Sequence, residues 1–309
     1  MADRIVLIVN PAATRAGPRL RNEVTDALTP LGLVNVRETS RGGDGSVLAA
    51  QAIADGATIV VALGGDGTVN QVADALAGTQ TALMPVPAGS TNVFARAVGW
   101  PQDARAVLPI MVDAIRHGRR RELSLGRIAF GQVDRVFCVN AGIGPDADTI
   151  HLVEARPWLK TRFRYMGVGA ATFLAAAKAA RRPHTIITAI DGGVPRQLNA
   201  LLVACGAPYA YLGSRRLELV PGAAFDGRLR WVGVRSSTFT ATVGAVAGAL
   251  RDGRHLNRRS VDAGWAANEI VVSSDRPVAV QTDGEPLGWH TAVRLTPGPV
   301  LRTVVPGSR

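Results

Sequence analysis

Apolar runs and helical spacing take turns through the first third of the chain. Residues 5–9 form a short apolar run ending at Asn10-Pro11, and residues 58–63 form another ending at Gly64-Gly65. Both read as buried parallel strands. Between them, 19–28 carries helical apolar spacing, 34–38 a strand pattern and 46–54 a second helical pattern. The alternation continues with a helix at 69–76, a strand at 82–86, a helix at 91–98 and a long helix over about 104–117. Strand and helix in alternation predict a parallel α/β sheet.

The texture changes after Arg119-Arg120-Arg121. Short β-rich runs follow at 125–130, 135–140, 185–190, 199–205, 228–234, 269–273 and 278–282, separated by Gly, Pro and Asp turns. Two helical stretches, near 157–180 and 238–250, interrupt them. This density of strands predicts a β-sandwich-like second domain, with the boundary near residue 122. A chain of 309 residues supports the division, because a single core stops growing at about 250–300 residues. The hydrophobic fraction of 47% leaves ample surface to bury, so disorder is expected only at the termini.

Composition narrows the partners. There are 35 basic and 24 acidic residues, a net charge of +11, and only Lys160 and Lys178 are lysines. Guanidinium forks pair bidentately with phosphate oxygens, so nucleotides, anionic headgroups and nucleic acid all fit the charge. A codon-biased genome rich in arginine and alanine accounts for it equally well. An aromatic content of 5% without a zinc-finger spacing or an aromatic RNA-binding motif argues against nucleic acid. His117, His151, His184, His255 and His290 are scattered without metal-ligand spacing. Cys138 and Cys205 sit in apolar runs and suggest no disulfide framework. Residues 1–11 lack the pattern of a signal peptide, which places the protein in the cytoplasm. The stretch 165–180 is interrupted by Gly167, Gly169 and Lys178, and is too short to span a membrane. Flanked by Arg162, Arg164, Arg181 and Arg182, it reads as an alanine-rich helix packed on its own domain or lying on a membrane surface.

The most informative segment runs strand, glycine turn, helix: Gly64-Gly65-Asp66-Gly67-Thr68 follows an apolar run and precedes Val69-Asn70. Glycines let the backbone approach a phosphate, and a helix opening near Thr68 aims unpaired N–H groups and its positive dipole end at the anion. Asp66 repels phosphate, so a bridging Mg²⁺ or a water is its natural partner there. The segment is neither a Walker A loop nor a dinucleotide G-x-G-x-x-G.

With this GGDGT signature, the chain resembles the diacylglycerol kinase catalytic family, bacterial branch, which shares the signature with sphingosine, ceramide and NAD kinases and phosphofructokinases. Further segments carry the likeness: Val9-Asn10-Pro11; Thr39 to Asp44, similar to Thr-x-x-x-Gly-Asp; Pro87 to Arg96, similar to P-x-G-T-x-N-D-F-A-R; Asn140 to Ala147, similar to N-x-x-G-x-G-x-D-A; and Asp283-Gly284-Glu285-Pro286.

The resemblance implies an α/β ATP-binding domain at 1–122 with a returning tail at about 291–309, a β-sandwich lipid-binding domain at 123–290, and an active site in the cleft between them. It places ATP contacts on Asn10, Pro11, Thr39, Gly64, Gly65, Asp66, Gly67, Thr68, Asn70, Ser90 and Asn92, with Asp66 engaging Mg²⁺. Glu285 matches the general base that deprotonates the lipid hydroxyl, with Asp283 supporting metal or base. Without the likeness, Asp283-Gly284-Glu285 reads as an acidic hairpin turn. A structural Mg²⁺ is implied on the Asp226 carboxylate and the Ala223 and Arg228 carbonyls. The implied activity is phosphorylation of diacylglycerol or a related lipid alcohol in phospholipid metabolism, at the inner face of an anionic membrane, with a homodimer conceivable. An NAD kinase-like activity and a non-catalytic nucleotide or lipid sensor are the alternatives. Three positions depart from the family pattern: Val93 and Ser124 stand where aspartates of an acidic Mg²⁺ network are usual, and Gln71 where glutamate is.

Overall fold

The computed structural model describes residues 3–40, 44–155, 185–213, 215–235 and 254–307. The helical stretches expected near 157–180 and 238–250, and with them the surface-helix reading of 165–180, lie outside the described residues. The chain divides into two compact units, Met1–Leu125 with Pro299–Arg309, and Gly126–Gly298.

The first unit alternates as its periodicity predicts: β1 (Asp3–Val9), α1 (Pro18–Leu28), β2 (Gly32–Glu38), α2 (Asp44–Ala54), β3 (Ile59–Gly64), α3 (Asp66–Leu76), β4 (Ala82–Pro87), α4 (Val93–Ala97) and α5 (Ala104–Arg116). Strands β2, β1, β3 and β4 lie side by side in that order, all parallel. Every residue of β3 and β4 is buried. That explains why these strands read as unbroken apolar runs rather than alternating ones, since helices cover both faces of such a sheet. Leu7, Ile8, Ile59, Leu63 and Leu83 are wholly buried, each stabilising by roughly 1.5–3 kcal/mol. Helix α1 opens with Pro18, whose fixed φ suits a first turn, and buries Leu20, Val24 and Leu28 at four-residue intervals.

The second unit is built from antiparallel strands. After β5 (Arg120–Phe130) come β6 (Val133–Phe137), β7 (Asn140–Ile143), α6 (Pro145–Glu154), β8 (Ile186–Ile190), β9 (Arg196–Leu198), β10 (Ala200–Ala204), β11 (Ala210–Leu212), β12 (Arg215–Leu217), β13 (Leu229–Val234), β14 (Val261–Ala266), β15 (Ile270–Thr282) and β16 (Glu285–Val304). Strands β14, β13, β10, β7, β15 and β16 are neighbours in that order. Strand β15 changes partner along its length: Ile270 to Ser274 pair with β8, and Val280 to Thr282 pair with β7. A register shift separates Ser273 from Val278 on its β16 side. A strand that passes from one sheet to another at such an irregularity builds a sandwich corner. Ala204, Tyr209, Val220, Ala223, Val232 and Val261 form a core cluster of this unit.

The tail of β16 returns to the first unit, where Thr303 pairs in parallel with Leu83 of β4. The Thr303 hydroxyl donates to the Leu83 carbonyl at 2.9 Å, and the Trp100 indole N–H donates to the Val304 carbonyl at 3.1 Å. Among the described residues no helix is long and apolar enough to cross a membrane. Cys138 and Cys205 are both buried thiols.

Candidate functional site

In the first unit, four parallel strands end on one side, and the sequence-expected nucleotide residues follow those ends. Asn10 succeeds β1, Thr39 succeeds β2, Gly65 succeeds β3, and Ala88 and Gly89 succeed β4. Ligands of open α/β sheets bind outside the carboxyl ends of their strands. Helix α3 opens immediately at Asp66, with Gly65 as an extended N-cap (φ −92°, ψ −173°). Nothing lies within 4 Å of where a Cβ on Gly67 would stand, so the helix start is open. Gly64 is a glycine for a steric reason: a Cβ there would stand 2.6 Å from the Thr68 side chain.

Neighbouring loops brace this bend. The Asn10 side-chain amide donates to the Thr68 hydroxyl at 2.9 Å, and its carbonyl accepts the Ala12 N–H at 3.0 Å. Asn10 therefore already has work in shaping the bend. The Gly65 and Gly89 backbones pass so closely that a Cβ on Gly89 would come within 2.6 Å of the Gly65 Cα. Asn92, in the left-handed region at φ 50°, accepts the Gly89 N–H at 2.9 Å and donates to the Gly89 carbonyl at 3.0 Å. Its side chain closes the second loop. Ser90 and Pro11 are exposed, and Asn70 is buried on α3.

Asp66 turns toward the second loop. Its carboxylate accepts the Thr91 hydroxyl at 2.9 Å and the Phe94 N–H at 3.4 Å. The residue keeps some solvent contact, yet its carboxylate is enclosed by protein. Desolvation raises its pKa, and the bonds from Thr91 and the α4 amides oppose the rise. One carboxylate does not make an all-protein Mg²⁺ cage. It does suit an ion whose other ligands are nucleotide phosphates and waters.

In the second unit, Asp283 and Gly284 form a two-residue hairpin turn between β15 and β16, with φ of 49° and 81°. Positive φ at both central residues is the turn that matches strand twist. The Asp283 carboxylate accepts the N–H groups of Cys138, Val139 and Asn140 at 2.5, 2.8 and 2.9 Å. These bonds break the strand expected over 135–140 into β6 and β7, because the amides at the break serve the carboxylate instead of a ladder. Glu285 opens β16 with its side chain 45% exposed, and the Arg135 guanidinium donates to it at 2.8 Å.

In the 221–228 loop, the carboxylate of the implied structural Mg²⁺ site has a partner within the loop. The Arg228 guanidinium bonds the Asp226 carboxylate at 2.6 and 3.2 Å and stacks 4.5 Å from the Trp265 ring centre. It holds the carboxylate pKa below the ordinary range. A cation is thus already on the one carboxylate that the loop offers. Among the described residues no group of three or more His, Cys, Asp or Glu side chains could hold a metal ion.

Reading the sequence missed Thr91 and Arg135 in these clusters, and missed Tyr209 and Gln281, which both bond the Asp146 carboxylate beside the turn. Gln281 left a trace, as a polar residue at an inward position of an apolar strand. Thr91 stood within the Pro87 to Arg96 segment; Arg135 and Tyr209 left no trace.

Comparison with known proteins fits this geometry. Residues 4–128 match the diacylglycerol kinase catalytic domain model, and residues 138–307 match the YegS C-terminal NAD kinase beta sandwich-like domain. A protein of Pseudomonas fluorescens described as "Probable lipid kinase YegS-like" is 28% identical over 279 residues, 88% of this chain and 86% of that one. A namesake in Pseudomonas putida is 35% identical over 139 residues, only 42% of this chain and 47% of that one. In fold, the chain is similar to the crystal structure of a diacylglycerol kinase from Bacillus anthracis, with a TM-score of 0.70 at 18% identity, covering 98% of this chain and 97% of that one. An NAD kinase from Archaeoglobus fulgidus in complex with ATP has a TM-score of 0.53 at 11% identity, covering 97% of this chain and 93% of that one. With an open glycine bend at the end of a buried parallel strand, a following antiparallel sandwich and both domain models matched along its length, the chain belongs to the diacylglycerol kinase catalytic family, in the group that carries the YegS-type C-terminal domain.

Proposed function

We propose that this chain is an ATP- and Mg²⁺-dependent lipid kinase that phosphorylates the hydroxyl of diacylglycerol or a related lipid alcohol. The observation that carries this reading is the open glycine bend, where α3 starts at Asp66 with nothing within 4 Å of the Cβ position of Gly67. Such a helix start, at the carboxyl end of a buried strand, is suited to phosphate. The names of the YegS-like relatives add lipid phosphorylation as the class of reaction.

In this reading the bend orients the triphosphate, and Glu285 accepts the hydroxyl proton as the alcohol oxygen attacks the γ-phosphorus and ADP departs. An alcohol is a poor nucleophile, and a positioned carboxylate contributes about 10²–10⁴-fold to such a step. When bound, Mg²⁺ supplies charge neutralisation on the phosphate oxygens, with Asp66 as its protein carboxylate. Asp283, committed to three amides, is proposed to shape the turn and not to touch the reacting atoms. The arginine-rich surface supports contact with an anionic leaflet, at about 1 kcal/mol per arginine near the membrane.

A second reading, a non-catalytic nucleotide sensor, is favoured by the surroundings of Asp66. Val93 and Ser124 stand in place of acids, and the carboxylate faces a hydroxyl and backbone N–H groups. The test is phosphate transfer from labelled ATP to diacylglycerol, sphingosine and ceramide in mixed micelles with Mg²⁺, with NAD as a further acceptor. Transfer to a lipid that falls about 10²–10⁴-fold in Glu285→Gln, with ATP affinity kept, supports the kinase. ATP binding with no transfer to any lipid selects the sensor, and transfer to NAD alone overturns both.

A further inference from the structure

The turn that presents Glu285 is held from behind by a buried side chain at the end of β15, that of Gln281. The Gln281 carbonyl oxygen accepts the N–H of Gly284, the residue before Glu285, at 2.9 Å. Its amide nitrogen points the other way and donates to the Asp146 carboxylate at 2.8 Å, with the Tyr209 hydroxyl oxygen at 3.0 Å. Tyr209 in turn donates its hydroxyl proton to the same Asp146 oxygen at 2.8 Å. Gln281 and Tyr209 are 2% and 4% exposed, so water cannot take over from these partners.

Such an amide has two orientations, and they are not equivalent. With the nitrogen toward Asp146, a donor meets a carboxylate and the oxygen is left for Gly284. Flipped, an oxygen would oppose the carboxylate and the Gly284 N–H would lose this acceptor. The acceptor oxygen of Asp146 thus selects the orientation that clamps the turn; burial raises the pKa of its carboxyl, and the bonds from Tyr209 and Gln281 oppose the rise. Two features admit a carboxylate here. Asp146 lies in the first turn of α6, where the helix dipole favours an anion. Residue 142 is glycine, and a Cβ there would stand 2.1 Å from the Asp146 carboxylate oxygen and 2.8 Å from the Gln281 nitrogen.

We propose that Asp146, acting through the Gln281 amide, is a positioning residue for Glu285. This rests on the reading of Glu285 as the base that takes the hydroxyl proton. A displacement of about 1 Å in a reacting group can cost about 10²-fold in rate, and Gly284 is the peptide through which Glu285 is placed.

The experiment combines steady-state kinetics with amide hydrogen exchange at Gly284 in the full chain. Gln281→Met keeps the length of the side chain and removes its bonds with Gly284, Asp146, Tyr209 and Asn140, and Asp146→Ala removes the acceptor. Both are expected to lower kcat about 10- to 100-fold, leave KM for ATP within about twofold and speed exchange at Gly284. Asp146→Asn can still accept from Gln281 and is expected to recover most of the rate. Folded Gln281→Met and Asp146→Ala enzymes with unchanged kcat overturn the proposal, as does unchanged exchange. Should those two fail to fold, Tyr209→Phe serves, with a smaller fall in kcat and faster exchange expected and no change in either overturning it. Absence of lipid phosphorylation in the wild type counts against the kinase reading alone, while the exchange comparison still decides whether the clamp exists.

Discussion

The glycine bend of the first unit and the acidic turn of the second are assembled by opposite means. The bend is made of what lies next to it: a buried strand, glycines, a helix start, and short reaches from the loops after β1 and β4. The turn is made of what lies far along the chain, with Asp283 bonded to amides 143 to 145 positions away and Gln281 bonded to Asp146 across 135. Backbone dipoles can be arranged by local conformation alone. A carboxylate that has to be aimed needs a frame, and a frame is a property of the whole unit.

Substitutions can test how far that contrast goes. The largest effect is expected from Asp283→Ala, which leaves the N–H groups of Cys138, Val139 and Asn140 without this acceptor. We expect a loss of about 3 kcal/mol of stability in urea unfolding, since bonds to a charged acceptor are worth roughly 1.5–3 kcal/mol. A loss under 0.5 kcal/mol, roughly the range of ordinary surface changes, would show the turn to be as local as the bend.

Gly64→Ala should come next, costing about 1–3 kcal/mol from the clash with Thr68 and weakening ATP binding in calorimetry. Gly67→Ala sharpens the comparison, because its Cβ meets nothing within 4 Å and alanine is the better helix former. Melting should show a gain of about 0.5–1 kcal/mol, while KM for ATP rises because a methyl group now stands where phosphate approaches. A gain in stability with unchanged KM would remove the bend from nucleotide binding.

The smallest effect concerns the Asp226 loop. In the absence of ATP, replacing Mg²⁺ by EDTA should leave the wild-type melting temperature unmoved, whereas Arg228→Leu should gain about 1.4 kcal/mol from Mg²⁺ at ten times its dissociation constant. The pH dependence has a definite sign. Arg228 lowers the folded-state pKa of Asp226, so its contribution is present above the ordinary carboxylate pKa and is lost as pH falls through the lowered one. Arg228→Leu should flatten that acid limb.

The same contrast governs what the sequence reveals. The four parallel strands of the first unit, β1 to β4, stand within a few residues of their apolar runs, because helices bury them on both faces. Strand β16 was not visible as a strand: Pro286, Gly288, Pro297, Gly298 and Pro299 interrupt any alternation, and its pairing with β15 supplies the order that its propensity lacks. Helix α6 escaped notice because Asp146, Asp148 and Glu154 dilute its apolar spacing. In the site, Gly64 to Thr68 announce themselves by composition. Gln281 shows only as a polar residue within the buried run 278–282, and its meaning comes from Asp146 being opposite it.

Strand β16 also sets an order of events in synthesis. The first unit includes Pro299–Arg309, and its hydrogen bonds from Thr303 to Leu83, from Trp100 to Val304 and from Gly78 to Val300 all wait on that tail. Domains usually fold amino-terminus first as the ribosome extends the chain. Here the first unit stays one strand short until residues 299–309 leave the exit tunnel, so a chain stopped at residue 298 would leave incomplete a unit whose other residues were made long before.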